Sequence, residues 1–157
     1  IGVYGAQRDN LDNPAAGSDG VRDEFNGVWY AKYSAGPVSI GYSESYVDSG
    51  VSSTATPATT AAKSLRSSGG IFEGQQIGIA FNVNDSLSVS YTESTETYNA
   101  QSEEASKDVD QDIEAIQVAY SMGGMSIKAY QMEVSNPSFD ANADDSKVTE
   151  IALGLAF

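Results

Sequence analysis

The sequence predicts an all-β fold of antiparallel, up-and-down strands. Two observations carry this. Apolar residues alternate with small or polar ones at period two, and a helical period is almost absent. The connections between alternating runs also switch regularly between short and long. Eight runs follow, near 1–7, 27–34, 37–47, 71–82, 86–98, 112–121, 125–134 and 147–157. The last is the clearest. Thr149, Ile151, Leu153, Leu155 and Phe157 share one face, and Glu150, Ala152, Gly154 and Ala156 share the other. Connections at 34–37, 83–86 and 122–124 are tight, with Gly, Pro, Asn or Asp supplying the turn chemistry. Those near 8–26, 48–70, 99–111 and 135–146 are long and hold most of the acidic residues. The Ser-, Thr- and Ala-rich stretch 49–68 has no usable period. It reads as a loop within a single segment, 1–157, because similar strands lie on both sides.

Composition narrows the function. Eight Lys and Arg against 22 Asp and Glu give a net charge of −14, with no Cys and no His. Disulfides, thiolate nucleophiles and imidazole ligands are therefore excluded, as is Ser-His-Asp chemistry. The negative charge disfavours nucleic acid, which needs clustered Lys and Arg. Nine Tyr, five Phe and one Trp are too many aromatics for a disordered acidic chain. No stretch approaches the roughly 20 apolar residues of a membrane-spanning helix. The chain opens on Ile1 without a basic, apolar leader, which predicts processing or truncation upstream.

Phasing the runs separates two faces. One carries Trp29, Ala31, Tyr33, Val38, Ile40, Tyr42, Ile77, Ile79, Phe81, Leu87, Val89, Tyr91, Ile116, Val118, Tyr120 and Ile127. The other carries mostly Ser, Gly, Ala and Gln. A soluble sandwich would turn the apolar face inward, and a transmembrane barrel would turn it toward lipid. The alternation of short and long loops favours the barrel, as do strands of about 9–12 residues. Aromatics beside the tight turns also fit a membrane-interface girdle. Trp29, Tyr33, Phe81, Tyr120 and Phe157 are the predicted interface residues.

The C-terminal run ends in Phe157, with Leu155, Leu153 and Ile151 at every second position before it. This resembles the terminal strand that the outer-membrane assembly machinery reads in bacterial barrel proteins. Glu150, Leu155 and Phe157 match that signal, while Ala152 stands where a Gly is usual. With the hairpins 28–42 and 77–91, the chain resembles the C-terminal half of a Gram-negative general diffusion porin of the alphaproteobacterial type. The resemblance implies a homotrimer of sixteen-stranded barrels in the outer membrane, with passive diffusion of small hydrophilic solutes and ions. It implies no catalysis, and it places the constriction loop in the other, N-terminal half of the barrel. The small inward residues agree with a wide lumen, since an eight-stranded barrel has an interior that side chains fill. A small eight-stranded barrel, or an adhesin-like module acting through its acidic loops, is the alternative reading.

Lys32 and Lys128 fall on the small-residue phase and predict positive charge on a pore wall. The bland reading pairs each with a neighbouring carboxylate, and Glu150 is a candidate partner. Tyr30, Gln76, Gln117, Tyr130 and Glu150 complete the predicted pore lining. Asp108, Asp110 and Asp112 alternate ahead of Glu114 and are weak candidates for Ca²⁺. Asp140, Asp144 and Asp145 form a second acidic stretch, and both stretches read more simply as solvated loops. Divalent ions there would bridge to lipopolysaccharide phosphates. Arg8, Arg22, Lys63 and Arg66 in the long loops offer further contacts to lipopolysaccharide or a second subunit. The acidic pair Glu103 and Glu104 lies in a charge-rich loop and does not suggest an active site.

Overall fold

Period-two patterning becomes eight strands: β1 (Gly2–Arg8), β2 (Glu24–Ala35), β3 (Val38–Asp48), β4 (Ile71–Asn82), β5 (Leu87–Asn99), β6 (Val109–Met122), β7 (Met125–Ser135) and β8 (Ser146–Leu155). The structure, a computed structural model, describes residues 1–9, 23–48, 50, 70–99 and 108–156. Phe157, Arg22, Lys63, Arg66, Glu103 and Glu104 lie outside the described residues. Each strand pairs antiparallel with the next, in the order β1-β2-β3-β4-β5-β6-β7-β8. β1 and β8 form the two edges and do not pair with each other, so the sheet is open.

Two strands begin three residues earlier than their sequence period suggests (27 − 24 = 3 and 112 − 109 = 3). β2 starts at Glu24 because Glu24, Phe25 and Asn26 pair with Arg8, Gln7 and Ala6. β6 starts at Val109 because Val109 and Asp110 pair with Tyr98 and Thr97. Asp110 therefore belongs to the strand, as Asp112 does, and not to the preceding loop.

The tight turns set the register. Gly36-Pro37 and Gly123-Gly124 are two-residue connections, with Gly36 at φ 56° and Gly123 at φ 57°. A left-handed residue at this position matches the right-handed twist of the flanking strands, and glycine adopts it without a Cβ clash. The third turn is closed by Asn84, whose Oδ1 accepts from the N–H of Ser86 (2.9 Å) and of Leu87 (3.0 Å).

The strands are staggered. Val38, Phe81, Val89, Val118, Ala129 and Ile151 form one cross-strand row. β3 begins on that row, whereas β7 begins at Met125, four residues beyond it (129 − 125 = 4). Four strand steps separate β3 from β7, so the line of turns moves one residue per strand. With a rise of about 3.4 Å per residue and a spacing of about 4.8 Å, that slope is roughly 35°.

The sheet is a single layer. No second sheet covers its apolar face among the described residues, and Tyr33 (72% exposed) and Ile151 (73%) stand open. The buried apolar residues are Phe72, Tyr98, Val109 and Phe139. They lie on the opposite, small-residue face, where Val47, Phe72, Tyr98 and Val109 make one row at the long-loop end. The small-residue reading of that face thus holds toward the tight turns but not at its long-loop end.

Candidate functional site

The pairing registers place all seven predicted lining residues on one face. Gln117, Tyr130 and Glu150 form a single row across β6, β7 and β8. The Tyr130 hydroxyl donates to Glu150 Oε2 at 3.2 Å. Lys128 lies two positions along β7, between Ala119 and Ala152. Together with Ser88 and Ser90 these residues line a recess of about 400 Å³. Lys32 sits on β2 in a row with Gly41, Gly78, Thr92 and Ala115, where the neighbours are too small to cover it.

Lys32 and Lys128 are separated by four strands, a span of roughly 24 Å at the usual strand spacing. The ion pairs among the described residues are Arg8–Glu24 (3.5 Å) and Lys147–Glu133 (3.2 Å), and neither involves these two lysines. Glu150 holds a tyrosine hydroxyl instead of a lysine. Gln76 adjoins Ser43 and Ser94 in the same small-residue surround. Tyr30 is different, because its ring occupies the space over Gly2 on β1, where a Cβ would stand.

The other face changes character along the strands. Near the tight turns it is apolar, with Ile77, Ile79 and Phe81 on β4 and Met125, Ile127 and Ala129 on β7. The centre of this band moves from Ile79 to Ile127, four residues along in three strand steps, close to the slope of the turns. Tyr33, Phe81 and Tyr120 flank the tight-turn side. Trp29 lies at the opposite border on β2, where its indole N–H donates to Glu44 Oε2 at 2.8 Å. Tyr42 donates to the other oxygen of Glu44 at 2.7 Å, and the Trp29 and Tyr42 ring centroids are 5.5 Å apart. Beyond that border the face is acidic, with Glu73, Glu93, Asp110, Asp112, Glu114 and Glu133.

Two of the three calcium candidates, Asp110 and Asp112, have protein partners. Asp112 Oδ1 accepts from Thr95 Oγ1, and Asp110 Oδ1 from Thr97 Oγ1, each at 2.6 Å. Asp110 and Asp112 occupy alternate positions along β6, with Cα atoms about 7 Å apart at the usual strand rise, and Asp108 directly precedes the strand. Asp140 closes a local turn, accepting from the Asn142 N–H at 2.9 Å. Among the described residues no three acidic side chains gather as metal ligands. Leu155 ends β8 on the apolar face and Glu150 lies on the other, so the two described members of the terminal signal point to opposite sides.

Sequence reasoning missed the aromatic cluster around Phe139. Its signal is faint: Pro137-Ser138-Phe139 is a short apolar break in an acidic stretch, and Phe72 and Tyr98 occupy a phase otherwise held by small residues. Comparison of the chain with protein-family models, curated proteins and solved structures finds no match.

Proposed function

We propose that this chain is part of the wall of a bacterial outer-membrane porin. The apolar face turns to lipid and the small-residue face borders a water-filled passage for small hydrophilic solutes and ions. The observation that carries the reading is the common slope of the turn line and the apolar band. Strands in barrels tilt by about 35–45°. When tilted strands cross a flat slab of lipid, the apolar zone must drift along successive strands at the rate the turns drift. A stagger of one residue per strand is the drift such a tilt requires.

The open edges extend the reading. β1 and β8 each present an unpaired row of backbone groups, and in lipid every such group needs a partner. A closed eight-stranded barrel would join β1 to β8. The inward set of Ser, Gly, Ala and Gln would also leave so narrow a barrel unfilled. Further strands of the same protein, on its N-terminal side, therefore complete the barrel, and the resemblance adds assembly as a homotrimer in the outer membrane. Lys32 and Lys128, free of ion pairs, set positive charge on the passage wall and favour anions. No chemical step is involved.

The test is single-channel recording of the full-length protein in planar bilayers. Stepwise currents are expected, and Lys32→Glu with Lys128→Glu is expected to shift the reversal potential in a salt gradient toward cations. A protein that inserts and passes no current would falsify the channel. An unchanged reversal potential would remove the two lysines from it.

A further inference from the structure

Phe139 belongs to no strand, yet it is among the most buried side chains described, at 3% exposed. It follows β7 and precedes β8, in the 3-10 turn Pro137–Phe139. Its ring centroid lies 5.7 Å from that of Tyr98 on β5 and 5.4 Å from that of Phe72 on β4. β4 is three strands from β7, about 14 Å across the sheet. The connection therefore doubles back over the small-residue face.

The backbone is bent to do so. Asn136, Ser138 and Phe139 have φ of 47°, 73° and 60°. A bulky residue is rarely found in that left-handed region, and it persists only where the surroundings impose it. The surroundings here are specific. The Asn136 side-chain amide donates to the Asp110 carbonyl at 2.9 Å, and the Ser138 N–H donates to Gln111 Oε1 at 2.6 Å. Tyr98 is fully buried beneath the cluster. Gly70, at φ 99°, gives the Tyr98 ring room, since a Cβ there would stand 2.9 Å from it.

We infer that residues 136–145 form an inward strap that narrows the proposed passage at its long-loop mouth, with Phe139 as the side chain that holds it in place. The inference rests on the reading of the small-residue face as the passage side. It adds a size-determining element to the half of the barrel where the family resemblance implies none. The strap also brings Asp140, Asp144 and Asp145 to that mouth, opposite in sign to the lysines lower on the wall.

The chain has no Cys, so a cysteine introduced into it reports one position once any Cys elsewhere in the full-length protein is replaced. In full-length protein in planar bilayers, Phe139→Ala is expected to raise conductance by about 1.5-fold as the strap swings outward. A bulky thiol reagent on Ala141→Cys is expected to reduce the current. Conductance of Phe139→Ala equal to that of the parent overturns the inference. If Phe139→Ala fails to insert, Ala141→Cys decides, and labelling that leaves the current unchanged overturns it. A parent protein that carries no current sinks the channel reading instead. Labelling in detergent then tests the strap alone: Phe139→Cys should react at least tenfold more slowly than Ala141→Cys, and equal rates overturn it.

Discussion

At the tight-turn end of the sheet, left-handed backbone is carried by Gly36 and Gly123, and large apolar side chains stand uncovered on one face. At the long-loop end, left-handed backbone is carried not only by Gly50 and Gly70 but also by Asn136, Ser138 and Phe139, and the large apolar side chains are buried on the opposite face. The first end is locally determined. A two-residue turn needs only its own glycine, and an apolar strand face needs only an apolar surrounding. The second end depends on residues far apart in sequence, since Phe139 is held by Phe72, Tyr98 and the Gln111 side chain. The same sheet thus stays anchored within itself at one end and relies on its surroundings at the other.

The sharpest way to break this comparison is to empty the buried end. Tyr98→Ala removes the fully buried ring on which Phe72 and Phe139 pack, at ring distances of 4.8 and 5.7 Å. Truncating a buried aromatic costs about 3–5 kcal/mol. Denaturant unfolding of the refolded full-length protein in vesicles is the measurement. A loss below about 1 kcal/mol would mean that the cluster does not anchor this end.

The apolar end is tested by two changes on one strand. Ile79 and Gln75 share a face of β4, four residues apart. An arginine facing mid-membrane costs about 2–4 kcal/mol, against about 0–1 kcal/mol near the interface. Ile79→Arg is therefore expected to destabilise the protein in vesicles far more than Gln75→Arg. In water the difference would vanish, because Ile79 is already 46% exposed in the sheet. Equal losses for the two variants would count against the proposed placement of the apolar band in a membrane.

Much of this was legible in the residues themselves. Alternation in runs such as Ile77-Gly78-Ile79-Ala80-Phe81 located β4 at its final bounds, and the phase of Lys32, Gln117 and Lys128 predicted that they share one face, as the pairing registers have it. Period two reads side-chain direction directly, so faces are easy to infer. What escaped was what depends on a partner. Asp110 looked like a loop residue because charge outweighed alternation, and only Thr97 opposite it makes it a strand position. The strap escaped for the same reason: Phe72 lies 67 residues before Phe139 (139 − 72 = 67), and no local pattern links the two.

The tight-turn glycine gives a smaller effect. No heavy atom lies within 4 Å of a Cβ built on Gly123, so Gly123→Ala alters only the backbone preference at φ 57°. An L-residue in that region costs roughly 1–2 kcal/mol. A thermal or denaturant shift of that size is expected with conductance unchanged. No shift would mean that the β6–β7 turn relaxes into another type.

The smallest effect concerns the border between the two regimes. Glu93, Glu114 and Glu133 lie directly opposite one another in one row across β5, β6 and β7. Like charges facing each other across strands destabilise a sheet, by roughly 0.2–1 kcal/mol per pair. Lys147 relieves the row at one end through its 3.2 Å contact with Glu133, but Glu114 sits in the middle with an acid on either side. Glu114→Gln removes the central charge and keeps the shape. It is expected to stabilise the protein by about 0.5 kcal/mol at low salt. The gain should fade near 1 M salt, where the screening length shrinks to about 3 Å. Unfolding midpoints of both proteins across a salt series decide it. A gain that persists at high salt would trace to hydrogen bonding or packing rather than to the charge row.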